Sequence, residues 1–230
     1  MCYRERMLDS YELLRFQLEL EGLELDAAEE LSTAPSHDHG ERHFAQAVML
    51  DGNCRLFLDA SLPANLKAEA RTLNISSILR QPELLAAMLA VEGCQEFETW
   101  VSYILTHSID VAPQLERVTL AEYHRLDSIY ESGFRDFART RPVYVAVEGG
   151  QVVAACTSVR HSEKAAEAWV ATDPAFRRKG YGSRVVAAWG NDLLANHKVA
   201  FYSHKSDNEA SRGLAQRLGL TYWAQGVGFT

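Results

Sequence analysis

Arg177-Arg178-Lys179-Gly180-Tyr181-Gly182-Ser183 joins three kinds of residue that together suit an anion: basic side chains, paired glycines and a helix start. The first N–H groups of a helix carry partial positive charge and lack intrahelical partners. Glycines let such groups approach an anion without a side chain in the way. Two phosphate-loop patterns fail here. The spacing does not give Gly-x-x-x-x-Gly-Lys-Ser/Thr, and Gly180-Tyr181-Gly182 lacks the third glycine of a dinucleotide fingerprint. What stands in the chain is Arg-x-x-Gly-x-Gly, formed by Arg177, Gly180 and Gly182.

The elements around the loop must position it. Residues 166–172 read as a strand closed by Asp173-Pro174, and residues 184–196 read as a helix. Val185, Val186, Trp189, Leu193 and Leu194 give that helix one apolar face. Upstream, 115–118 reads as a short strand, and Thr119 with Glu122 forms a capping box opening a helix. A second helix covers 130–137. Residues 142–147 and 151–159 are strands around the turn Glu148-Gly149-Gly150, and 165–172 is the third. Residues 199–204 form the next strand, and 208–218 a helix that Gly219 ends. Residues 220–223 and 226–229 read as closing strands.

This order, with Arg-x-x-Gly-x-Gly after the third long strand, resembles the GNAT superfamily of N-acetyltransferases over residues 114–230. The resemblance implies an α/β (α+β) fold with a mixed, mostly antiparallel sheet flanked by helices. It implies acetyl-CoA as co-substrate and an amine as acceptor. It places the acetyl and pantetheine portion on Val170, Ala171 and Thr172, and the pyrophosphate on Arg177, Arg178, Lys179, Gly180, Tyr181, Gly182 and Ser183. Asn208 matches an Asn that touches the cofactor arm, and it is also a good N-cap. Seven residues later the family often has a Tyr that protonates the leaving thiolate. This chain has Ala215, and Tyr202, Ser203, His204 and Tyr222 are open as substitutes. Glu167 is the first candidate general base, and an ordinary half-exposed strand carboxylate is its competing description. His204 is the second candidate. A non-catalytic acyl-CoA-binding sensor or interaction module is the competing function.

The N-terminal half, residues 1–113, resembles no family. It reads as helix-rich, with a helix over 10–25, a polar loop over 32–42, a strand over 53–59, and helices opened by Pro63 and Pro82. A domain boundary is expected near Pro113, and the N-terminal region is expected to cover the acceptor site. His37-Asp38-His39 with His43 lies in the breaker-rich loop and reads as solvated, so no metal is expected. Glu92, Glu96 and Glu98 around Gly93 read as a solvated turn.

The 230 residues carry a formal net charge of −8, with 47% hydrophobic and 23% charged residues. That profile argues against nucleic-acid binding, which needs a basic face. It makes the cluster Arg177, Arg178, Lys179 and Arg184 local. No apolar run approaches the ~20 residues of a membrane span. The start lacks a signal-peptide core, and the four widely spaced cysteines form no Cys-x-x-Cys. A cytoplasmic location is therefore expected, without membrane partners, and a homodimer is left open. Cys156, in an apolar strand, reads as core.

Overall fold

Asp9 starts the first helix, α1 (Ser10–Leu20), by accepting a hydrogen bond from the Glu12 amide at 2.7 Å. The computed structural model describes residues 9–33, 42–111, 115–118, 120–126 and 143–230. The helix expected over 10–25 stops at Leu20, because Gly22 takes a left-handed φ of 73°. Leu23–Leu25 is instead a strand, β1, antiparallel to β2 (Leu31–Thr33).

Two compact units are present, and neither is continuous in sequence. The first takes the residues up to Ser102 together with His204–Asn208 and Tyr222–Thr230. Its strands β3 (Ala45–Leu50) and β4 (Asn53–Leu58) pair antiparallel through Asp51-Gly52. Both turn residues have positive φ, 48° and 76°, as a two-residue hairpin requires. The other edge of β3 is taken by the last strand, β11 (Thr221–Phe229), with Phe229 opposite Ala45 and Ala224 opposite Leu50. The two closing strands expected at the C-terminus are thus one. Helices α2 (Ala64–Ala70), α3 (Ile75–Arg80) and α4 (Glu83–Leu89) cover one face. Leu66, Ile78, Leu85 and Leu89 pack there with Ala45, Leu58, Val227 and Phe229. Asn74 caps α3 by accepting from the Ser77 amide at 3.1 Å.

The second unit comprises Tyr103–Ser203 and Glu209–Thr221. Strands β6 (Leu115–Val118), β7 (Val143–Glu148), β8 (Gln151–His161) and β9 (Ala165–Thr172) form an antiparallel series. Strand β10 (Val199–Lys205), divided between the units after Ser203, pairs parallel with β9. Strand β5 (Phe97–Leu105) is likewise divided, after Ser102. Helix α5 (Tyr181–Ala195) buries Val185, Val186 and Trp189 against Ala154, Cys156, Ala166 and Tyr202, with Ala215 of α6 (Glu209–Arg217) in the same core. The opposite face is a smaller core of Val118, Leu126, Val143, Val145, Val152 and Ala155. Burial of such side chains, at ~25 cal/mol per Å2 of apolar area, is the main force holding α5 in place.

Leu120–Leu126 forms 3-10 turns rather than the capping-box helix expected from Thr119, which itself lies outside the described residues. So do the expected helix at 130–137, the boundary near Pro113 and the His37-Asp38-His39 group. No helix among the described residues is long and apolar enough to cross a membrane.

Candidate active site

The parallel ladder between β9 and β10 is short. Ala165, Ala166 and Glu167 pair with Val199, Ala200 and Phe201, and pairing ends there. Strand β9 continues to Thr172 against β8, where Ala154 faces Thr172, while β10 continues beyond Phe201. The β9–β10 ladder therefore stops short of Val170, Ala171 and Thr172. A backbone edge left this way can hydrogen-bond an extended ligand as a further strand would.

Beyond that edge the chain makes a 3-10 turn, Pro174–Phe176, with the Asp173 carboxylate accepting from the Ala175 amide at 2.8 Å. Arg178 has a φ of 64° and Gly180 of 85°, and Gly180 is the N-cap of α5. Helix α5 begins at Tyr181, three residues before the expected start, so the loop's second half is already helix. The first intrahelical bond there runs from the Arg184 amide to the Gly180 carbonyl at 3.2 Å. Gly180 has no side chain with which to cap the first amides of the helix. The result is a positively polarised helix end.

Gly182 sets how closely this helix end meets β9. A Cβ on it would lie 3.1 Å from Thr172 Oγ1, 3.4 Å from Leu214 Cδ1 and 3.9 Å from Val170 Cγ2. Arg177 Nε donates to the Thr172 carbonyl at 3.3 Å, tying the loop to the strand end. Lys179 stands 4.7 Å over the Phe176 ring and 4.0 Å from Glu148 Oε1. Tyr181 donates its hydroxyl to the same carboxylate, while Arg184 lies over the Tyr181 ring. Glu148 thus joins the loop, a neighbour that its hairpin signal does not reveal. Arg177, Arg178, Lys179 and Arg184 are exposed.

Glu167 is buried on β9, and Arg160 Nη1 donates to its carboxylate at 2.8 Å. Three residues from Val170 along a strand, its side chain points to the other face. His204 is buried on β10, and its Nδ1 donates to the Lys205 carbonyl at 2.7 Å. A carbonyl only accepts, so Nδ1 carries the hydrogen in that bond. His204 and Asn208 fall in the first unit, whereas Glu167 and residues 170–183 fall in the second. Asn208 immediately precedes α6.

Ala215 is fully buried in the core that also holds Tyr202. Burial pushes the Tyr202 phenol up to about 12, and a hydrogen bond with Ser211 offsets part of that. Tyr222 is 46% exposed. The Cys156 thiol is raised by complete burial, and burial also raises Cys94. Neither has the lowered pKa of an acyl-accepting nucleophile. Among the described residues, no group of three or more His, Cys, Asp or Glu side chains is placed to hold a metal.

Residues 114–225 match the family model described as GNAT acetyltransferase. The C-terminal half of the chain is accordingly a GNAT domain. A GNAT-family acetyltransferase from Colwellia psychrerythraea has the same fold, with 12% identity, 96% of this chain and 95% of that one covered, and a TM-score of 0.53. A GCN5-related N-acetyltransferase-like protein from Streptococcus suis 89/1591 is 16% identical, over 80% of this chain and 83% of that one, at a TM-score of 0.47. A GNAT-family protein from Novosphingobium aromaticivorans is 15% identical over 59% of this chain, at a TM-score of 0.49. That match spans 65% of the Novosphingobium chain, just under two thirds of its length. No curated protein matches the sequence.

Proposed function

We propose that this protein is an acetyl-CoA-dependent N-acetyltransferase that moves the acetyl group directly to an amine, with residues 114–230 as its acetyltransferase part. The short β9–β10 ladder beside an uncapped α5 is the observation that carries the reading. The residues fit the donor. The β9 edge at Val170, Ala171 and Thr172 suits the amide-bearing pantetheine arm and the acetyl carbonyl. The amides and basic side chains of 177–183, with Gly182 closely packed, suit the pyrophosphate, and Asn208 fits the cofactor arm.

The thioester supplies an activated acetyl group. The chain supplies position and charge. A strand N–H held at the acetyl carbonyl oxygen stabilises negative charge as it develops there. Holding amine and thioester together removes the entropy of their encounter. Water or a side-chain base takes the amine's proton, and the sequence offers His204 for that role. Glu167 is the other candidate base, but it would first have to give up Arg160. Among the four substitutes for a Tyr at Ala215, Tyr202 alone shares its core. A phenol near 12 faces a thiolate whose conjugate acid lies near ~8.5. It therefore donates a hydrogen bond to the sulfur rather than its proton. Cytoplasmic location belongs to the same reading.

Thiol release from acetyl-CoA across a panel of primary amines tests it, with turnover expected for at least one. Ala215 and the engaged Glu167 favour a second reading, a non-catalytic acyl-CoA sensor. Tight CoA binding by calorimetry with no turnover on any amine would select the sensor.

A further inference from the structure

Glu148 ends β7 at the β7–β8 turn, and from there it meets the loop of residues 177–183 within the second unit. Its carboxylate accepts the Tyr181 hydroxyl and stands 4.0 Å from Lys179 Nζ. Those two residues bracket Gly180, the N-cap of α5. Arg184, one turn further along the helix, lies over the Tyr181 ring at 5.3 Å. A negative group therefore engages a loop that otherwise gathers basic side chains and helix amides.

The turn itself does not need this side chain. Gly149 and Gly150 supply its positive φ values, 60° and 82°, and Glu148 stands opposite Gln151 through the backbone ladder. Stability does not need it either. The Glu148 and Lys179 side chains are 44% and 51% exposed, and ion pairs so open to water contribute little. Asp173, the carboxylate at the start of the loop, differs, because it caps the 3-10 turn through the Ala175 amide. What remains for Glu148 is its charge. It opposes a phosphate twice, by occupying Lys179 and Tyr181 and by repelling the anion. Acetyl-CoA and the CoA left after transfer carry the same phosphates. A looser hold on them eases product release without touching the thioester.

We propose that Glu148 competes with the CoA phosphates for Lys179 and the Tyr181 hydroxyl, and so sets how tightly the donor is held. This role rests on the reading of residues 177–183 as the CoA loop. Glu148→Gln tests it, because glutamine still accepts from Tyr181 but carries no charge. Calorimetry with CoA on the full chain is run at about 0.02 M and about 0.5 M salt, since salt screens the repulsion and leaves shape alone. The variant should bind CoA about threefold to tenfold tighter than the wild type at low salt. The gain should shrink at high salt, and the ligand-free melting temperature should stay the same. Glu148→Asp, which keeps the charge, should stay close to the wild type, and Glu148→Lys should bind at least as tightly as Glu148→Gln. Equal or weaker CoA binding by Glu148→Gln, or a gain that salt does not reduce, would overturn the role. If Glu148→Gln does not fold, the same comparison with Glu148→Lys decides. A wild type that binds no CoA overturns the loop reading and this role with it. A wild type that binds CoA, with no gain in the variants, overturns the role of Glu148 alone.

Discussion

Gly182 acts through the side chain it lacks. A valine there drives its methyls into Thr172 and Leu214, which already bound the available space at 3.1 and 3.4 Å. Gly182→Val should therefore weaken CoA by at least about tenfold in calorimetry, with a loss of roughly 1–3 kcal/mol in stability. Unchanged affinity would remove the loop from the cofactor site. Gly213, on α6, is its control, because a Cβ there meets nothing within 4 Å. Gly213→Ala should stabilise the protein by about 0.5–1 kcal/mol without changing CoA affinity. Tyr202 supplies a pH test. Its folded pKa, about 12, lies above the ordinary 10.0, so the folded state holds this proton more tightly than the unfolded chain. That stability is full below pH 10 and is lost as pH rises toward 12, by roughly 2–3 kcal/mol for a two-unit shift. Urea melts at pH 9 and 11.5 should show a smaller alkaline loss in Tyr202→Phe than in the wild type. Equal losses would contradict the buried phenol.

At the scale of elements, α5 is held to its sheet by close approach. A Cβ on Gly190 would sit 2.6 Å from Leu105 Cδ2, and the adjacent Trp189 donates its indole N–H to Ser158 Oγ at 3.0 Å. Helix propensity favours Gly190→Ala by about 1 kcal/mol, but the contact with Leu105 opposes it. The steric term should win for Gly190→Val, which adds branching, and its denaturation midpoint should fall clearly below that of Gly190→Ala. Equal midpoints would mean that Leu105 yields freely. Helix α5 was legible because its apolar residues recur every three or four positions. Strands β7 to β10 were legible as β-rich runs closed by Gly149-Gly150 and by Asp173-Pro174. The short elements of the first hundred residues were harder. Strand β3 follows a polar loop and holds Gln46 among apolar residues, although Asp51-Gly52 signals its hairpin. Strand β1 continues the apolar spacing of α1, and only Gly22 separates them. Within the candidate site, the loop was readable from residue types. The Arg160–Glu167 pair was not, because it depends on the register of β8 against β9, which changes between Ser158 and Arg160. Nor did anything local foretell that Glu148 would meet Tyr181.

For the whole molecule, the sequence resemblance and the compact units do different things with the last strand. The family model ends at residue 225, and β11 runs on to Phe229 along the edge of β3. Val227 and Phe229 have no exposure because Ala45, Ala47, Leu58 and the helices α2 to α4 surround them. Residues 114–230 made alone would lose that core and the ladder to β3. Phe229 and Val227 would face water, at roughly 1.5–3 kcal/mol for each side chain, and β11 would present an open edge of the kind that aggregates. The fragment should therefore be poorly soluble or dimeric, whereas the full chain melts cooperatively. Co-expression with residues 1–113 should restore solubility, because that piece carries β3 and its covering helices. Size-exclusion chromatography of the three preparations reads the outcome directly. A monomeric, soluble 114–230 fragment that binds CoA as well as the full chain would show that β11 is dispensable and that the GNAT domain stands without the first hundred residues.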